Sequence, residues 1–161
     1  MGTDAPRDSS VTAVKQLVLV GNGTNGLALD VGTKRIGIAI ANLDVRFPRP
    51  LLTLENPNTF FTDITTLCQI HDVAWLVIGL PRGLSGQDTD QTKSVRAFVA
   101  DLQQYTKLSL YWIDEALTSN KAESELQSRG KSYIKSDIDS LAATYMLEDF
   151  LNDLQNRQEI K

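Results

Sequence analysis

Asp30 ends the apolar run Leu27-Ala28-Leu29, Gly32 follows two residues later, and Lys34 and Arg35 come after Thr33 in the same Gly-punctuated turn. A carboxylate that can hold a hard cation, beside two bases that can hold phosphate, points to phosphoryl chemistry. One acid does not suffice: two cations about 4 Å apart carry more charge than a single carboxylate can balance, so partners must arrive from other elements. Asp114-Glu115 and Asp139 are the candidates. Each also has an ordinary use, since acids before Leu117-Thr118-Ser119 suit a helix start and Asp137 or Asp139 can cap the last helix. Their coincidence at comparable ends of two strands and a helix favours a shared site.

The elements that must position these acids can be read from periodicity. Leu27–Val31 and Ile36–Ile40 form a hairpin, and Leu51-Leu52-Thr53-Leu54, after Pro48 and Pro50, makes a third strand at a sheet edge. From Thr59 to His71 the spacing of Phe60, Phe61, Ile64, Leu67 and Cys68 is helical, and Val73–Gly79 is an apolar run suited to a strand covered on both faces. A loop with Pro81, Gly83 and Gly86 leads to a helix carrying Val95, Phe98, Val99 and Leu102. A strand at Leu108–Ile113 follows, with Asp114-Glu115 closing it at the carboxyl edge where parallel sheets meet ligands. Alternation sends Asp114 and Glu115 to opposite faces, and both stay candidates. A short helix over Ser119–Gln127 precedes a longer one over Asp137–Leu154, whose stripe Ile138, Leu141, Ala142 and Tyr145 is expected to be buried, with Ala142-Ala143 allowing close packing on the sheet. The order predicts an α/β, ribonuclease H-like fold: a five-stranded mixed sheet, antiparallel meander then parallel strands, with helices on both faces.

Composition narrows the chemistry. The 161 residues suit one domain, read here as 26–154 between a leader (1–25, with a short strand possible at 17–20) and a tail (155–161). One cysteine and one histidine exclude a disulfide framework and a Cys/His zinc cluster. Cys68 falls on the apolar side of its helix, and His71 suits that helix's C-terminus. The net charge of −4 argues against a broad nucleic-acid-coating surface. No apolar run approaches the ~20 residues of a membrane span, so a cytoplasmic protein is expected. Trp75 and Trp112 read as sheet packing, and the Gly79–Gly86 loop lacks the Gly-Lys-Ser/Thr ending of a phosphate-cradling loop.

Four segments, in order, resemble the YqgF (RuvX) proteins, Holliday-junction-resolvase-like relatives of ribonuclease H described as nucleases of precursor 16S ribosomal RNA. They are Leu29-Asp30-Val31-Gly32-Thr33-Lys34-Arg35-Ile36-Gly37-Ile38-Ala39; Val77-Ile78-Gly79-Leu80-Pro81 with Val95-Arg96-Ala97-Phe98; Asp114-Glu115-Ala116-Leu117-Thr118-Ser119 with Ala122-Glu123; and Ile138-Asp139-Ser140-Leu141-Ala142-Ala143. The resemblance spans about 27–152. It implies a Mg²⁺- or Mn²⁺-dependent nuclease in ribosome biogenesis, with Asp30, Asp114, Glu115 and Asp139 as catalytic and metal-holding acids, precursor rRNA as substrate and ribosomal particles as partners, in a monomer or homodimer. Two departures stand out: Ala116 replaces the Arg that usually follows Asp-Glu, leaving Arg129 or Lys131 to substitute, and Arg82-Gly83-Leu84-Ser85 replaces an Asn- or Asp-containing turn.

The expected mechanism is two-metal phosphodiester hydrolysis, with Lys34, Arg35 and Arg82 on backbone phosphate; such contacts position without reading sequence, so specificity falls to RNA shape or a partner. Three other readings fit some of the residues. The Asp-Val-Gly-Thr hairpin also resembles that of actin-like and sugar-kinase ATPases, which need two such domains. A resolvase of branched DNA would use the same acids. A catalytically silent RNA- or ribosome-binding module would fit Ala116 and the acidic balance.

Overall fold

Residues 25–115, 118–130, 132–152 and 160 are described by a computed structural model. The leader read at 17–20, Ala116, Lys131 and most of the tail lie outside the described residues.

Strand β1 (Asn25–Val31) pairs antiparallel with β2 (Ile36–Asn42), and β2 with the edge strand β3 (Arg49–Leu54). On its other side β1 pairs parallel with β4 (Val73–Pro81), which pairs parallel with β5 (Ser109–Glu115), giving the order β3-β2-β1-β4-β5. The four-residue turn 32–35 closes when the Gly32 amide donates to the Arg35 carbonyl at 2.8 Å. The third strand starts two residues earlier than expected, at Arg49, and Pro50 is tolerated there because β3 is an edge.

Large side chains of the sheet, Leu27, Leu29, Ile36, Ile38, Leu76 and Ile78, pack on one face against helices α1 (Phe60–Ile70) and α2 (Asp90–Leu102). A 3-10 turn (Pro57–Thr59) leads into α1, and Cys68 is buried in this layer, its thiol pushed up to about 11 by burial. His71 caps the end of α1. Thr89 caps α2 reciprocally with Thr92, whose buried hydroxyl also donates to the Pro81 carbonyl at 2.5 Å. That bond ties the start of α2 to the end of β4.

The other face of β1 and β2 is small. Ala28 lies opposite Ala39 in the ladder, and Gly37 opposite Asp30. The long helix α4 (Lys135–Asn152) comes down on this face through Ala143, Met146, Leu147 and Phe150, and Phe150 stacks on the buried Trp75 with centroids 5.4 Å apart. Such a pair contributes about 0.5–1.5 kcal/mol beyond its buried area.

Of the stripe expected to be buried, Leu141 and Ala142 are buried, and of the Ala142-Ala143 pair only Ala143 packs on the sheet. Leu141 and Ala142, with Ile138 and Tyr145 beside them, pack instead on Ala122 and Leu126 of α3 (Thr118–Ser128), one side of α4 facing its neighbour helix while Ala143 and Met146 face the strands. With Ala142 and Ala143 adjacent, apolar periodicity did not separate the two sides. Among the described residues no helix is long and apolar enough to cross a membrane.

Candidate active site

Asp30 is the last-but-one residue of β1 and projects to the α4 face, as Ala28 does two residues earlier. Its neighbours on both flanking strands are glycines. Gly37 lies opposite it on β2, and continuing the Leu29–Ile78 register places Gly79 beside it on β4. Each glycine leaves space that another acid uses.

On β2, a Cβ at Gly37 would lie 2.1 Å from the backbone carbonyl oxygen of Asp139. The start of α4 therefore rests on bare strand backbone. Further ties hold it there: the Thr53 hydroxyl donates to the Ser136 carbonyl at 2.7 Å, and the Ser136 hydroxyl donates to Glu55 at 2.7 Å. Asp137 takes the capping role, accepting from the Ile134 amide at 3.0 Å, which leaves Asp139 for the cleft.

On β4, a Cβ at Gly79 would stand 3.5 Å from Glu115 Oε2. Glu115 faces Pro81 in the β4–β5 register, so its side chain leans back over Gly79 toward β1. There its carboxyl is hydrogen-bonded to that of Asp30. Burial, first, then the charge and hydrogen bond of Glu115, then the charge of Asp139, hold the Asp30 carboxyl well above the usual carboxylate range.

Asp30, Glu115 and Asp139 line one cleft of about 770 Å³, which continues across the 32–35 turn to α1 and α2. Asp114 is exposed and does not line it. The parity of β5 decides between the two neighbours: Tyr111 and Ile113 pack in the α4 layer, so Glu115 points the same way.

The three bases part company. Lys34 is exposed on the cleft wall and forms no ion pair among the described residues. Arg35 lines the cleft too, but its Nε donates to Asp139 Oδ2 at 2.6 Å, so it holds an acid rather than standing open to phosphate. Arg82 pairs with Asp88 away from the cleft, and Arg96 approaches the same carboxylate at 3.8 Å. Arg129 pairs with Glu125 one helical turn away on α3.

The donor set suits a hard divalent cation: carboxylate oxygens only, two of them already side by side and a third in the same cleft. Among the described residues no three acids stand together as a ready cage, and Arg35 is paired with Asp139. Glycines of strand interiors were the signal for this arrangement: Ile36-Gly37-Ile38 and Ile78-Gly79-Leu80 each interrupt an apolar strand where backbone or a ligand must approach closely. The aromatic side of the cleft was not foreseen, since Phe61 and Phe98 read as core.

A family model described as RuvX, Holliday junction resolvase, matches residues 24–153. A protein of Maridesulfovibrio salexigens is 37% identical over 129 residues, covering 78% of this chain and 96% of the relative. One of Bartonella tribocorum is 39% identical over 135 residues, covering 80% of this chain and 85% of the relative. Both are named "Putative pre-16S rRNA nuclease". Among solved structures, Thermus thermophilus RuvC in complex with Holliday junction substrate superposes with a TM-score of 0.57 at 10% identity, over 85% of this chain and 99% of that one. That likeness supports the ribonuclease H-like fold.

Proposed function

We propose, from the premise that this chain belongs to the RuvX family, that it is a nuclease hydrolysing phosphodiester bonds in precursor 16S rRNA, with divalent cations held by Asp30, Glu115 and Asp139. The observation that carries the reading is the meeting of Asp30 and Glu115, from strands separated by β4, in a cleft that Asp139 and Lys34 also line.

Mg²⁺ or Mn²⁺, when bound, lowers the pKa of an attacking water and stabilises the leaving oxygen, two roles that a pair of cations divides. Asp30 and Glu115 supply adjacent hard oxygen donors at the ends of β1 and β5. Arg35 fixes the carboxylate of Asp139 and sets its orientation toward the cleft. Lys34 neutralises the backbone phosphate of the bound strand without reading its bases. Asp114, outside the cleft, takes no part.

The test is cleavage by the purified chain of a 5′-extended small-subunit rRNA precursor beside a four-way DNA junction, in Mg²⁺ and in EDTA. Cutting of the RNA that EDTA abolishes supports the reading. Cutting of the junction alone would move the substrate to branched DNA, and cutting of neither would leave an RNA- or ribosome-binding module.

A further inference from the structure

Arg35 and Asp139 meet across one side of the cleft. The Arg35 Nε donates to Asp139 Oδ2 at 2.6 Å, both residues line the cleft, and their side chains are 32% and 22% exposed. Both backbones are held. The Arg35 carbonyl accepts from the Gly32 amide at 2.8 Å, which closes the 32–35 turn, and the Asp139 carbonyl rests on bare backbone at Gly37. Separation of the pair therefore falls to the side chains, and the longer one, Arg35, is also the more exposed.

A guanidinium and a divalent cation compete for one carboxylate. At 2.6 Å the guanidinium neutralises the charge that would draw a cation in, and its own charge repels a cation that arrives. Asp30 and Glu115 differ, because each faces the other acid, and among the described residues neither forms an ion pair. Two acids of the cleft are thus open to metal, and the third is already matched with a positive charge.

The guanidinium also has another acceptor to turn to. Among the described residues it is hydrogen-bonded through Nε alone, so both terminal amino groups keep their donors. Lys34, the residue before it, lines the same cleft, and a strand whose phosphate lies on Lys34 brings phosphate oxygens to the same turn. A forked guanidinium–phosphate contact is among the stronger charge-assisted pairs.

We infer that Arg35 is a built-in counter-ion of Asp139: it closes that carboxylate to metal in the free protein and releases it when a phosphate of the bound strand takes the guanidinium. This rests on the nuclease reading for the nature of the strand. Cation loading at Asp139 is thereby tied to substrate, and the tie is reciprocal, since the factor by which phosphate strengthens cation binding is the factor by which the cation strengthens phosphate binding.

Two measurements on the full chain test this. The first is Mn²⁺ binding without nucleic acid, followed by the loss of the free-ion EPR signal. Arg35→Gln should bind Mn²⁺ at least about fivefold more tightly than the parent at its weaker site, and adding Asp139→Asn to that variant should remove the gain. Lys34→Gln deletes the same charge from the same turn but no ion pair, and should give a much smaller gain. Parent and Arg35→Gln titrating alike, a gain that survives Asp139→Asn, or an equal gain in Lys34→Gln each overturns the inference. The second measurement needs no change at Arg35: its Nε–H resonance is followed by NMR in Asp30→Asn, which keeps RNA intact. Millimolar Mg²⁺ alone should leave the resonance where it stands in EDTA, and Mg²⁺ with a short single-stranded RNA should shift it. A shift with Mg²⁺ alone, or none with RNA, overturns the inference. Cleavage of that RNA by the parent chain is scored separately: the Mn²⁺ gain without cleavage would count against the nuclease reading while upholding the counter-ion, and cleavage without the gain would do the reverse.

Discussion

Gly37 and Asp139 touch through backbone alone: a Cβ on Gly37 would stand 2.1 Å from the Asp139 carbonyl oxygen and 2.8 Å from the Ser140 amide nitrogen. The helix that carries the third acid is seated at the one point of β2 directly opposite Asp30. Neither backbone can yield without moving the helix start away from the sheet.

Gly37→Ala should therefore lower stability by about 1–3 kcal/mol and displace Asp139, cutting the cleavage rate at least about tenfold. Gly79→Ala should cost less stability, because the atom it meets first is the Met146 sulfur at 2.7 Å, the end of a flexible side chain. Urea unfolding of the two variants checks the ranking; a Gly79→Ala cost equal to that of Gly37→Ala would contradict it.

Asp114→Asn and Glu115→Gln should behave as opposites despite their adjacency. Glu115 leans over Gly79 to Asp30, whereas Asp114 is exposed outside the cleft. Losing a metal-holding carboxylate should cost two to three kcal/mol of barrier, roughly a hundredfold in rate, and losing the exposed acid less than about threefold. Steady-state cleavage separates them, and comparable losses would undo the assignment of Glu115.

The hairpin, the mixed sheet and the position of Asp30 near a strand end were legible because their signals are local: alternation, an apolar run covered on both faces, an acid where a strand ends. The choice between Asp114 and Glu115 was not, since it depends on which layer Tyr111 and Ile113 join and on space left by Gly79 two strands away from Asp30's partner Gly37. Charge type misdirected the reading of the bases. Arg35 and Arg82 look like phosphate binders in the chain, but the fold brings Asp139 to one and Asp88 to the other, and only Lys34 stays uncommitted. The sheet-facing side of α4 was obscured by alanines on both of its buried sides.

Lys34→Gln should raise KM for RNA without lowering kcat, and the log–log dependence of affinity on salt should flatten by about one unit. Binding titrations across salt concentrations measure this. An unchanged slope would remove Lys34 from the phosphate path.

Asp30→Asn should stabilise the metal-free protein at neutral pH. The raised folded-state value means the neutral carboxyl is the form the fold accommodates. That stabilisation is complete below the unfolded value of about 3.9 and is lost as pH rises through the raised folded value. The amide carries no charge to bury, so in EDTA the variant's Tm should exceed the parent's at neutral pH, with the gap closing toward about pH 4. A Tm equal to or below the parent's at neutral pH would show that burial of the Asp30 charge costs the fold nothing.

The most direct measurement is the single-turnover cleavage of a 5′-extended small-subunit rRNA precursor in Mg²⁺ by the parent chain and by Asp30→Asn, each verified as folded. If Asp30, Glu115 and Asp139 hold the catalytic cations, the parent cuts and the variant is slower by at least about a hundredfold. An Asp30→Asn protein that cuts at the parental rate would contradict the site and the function built on it.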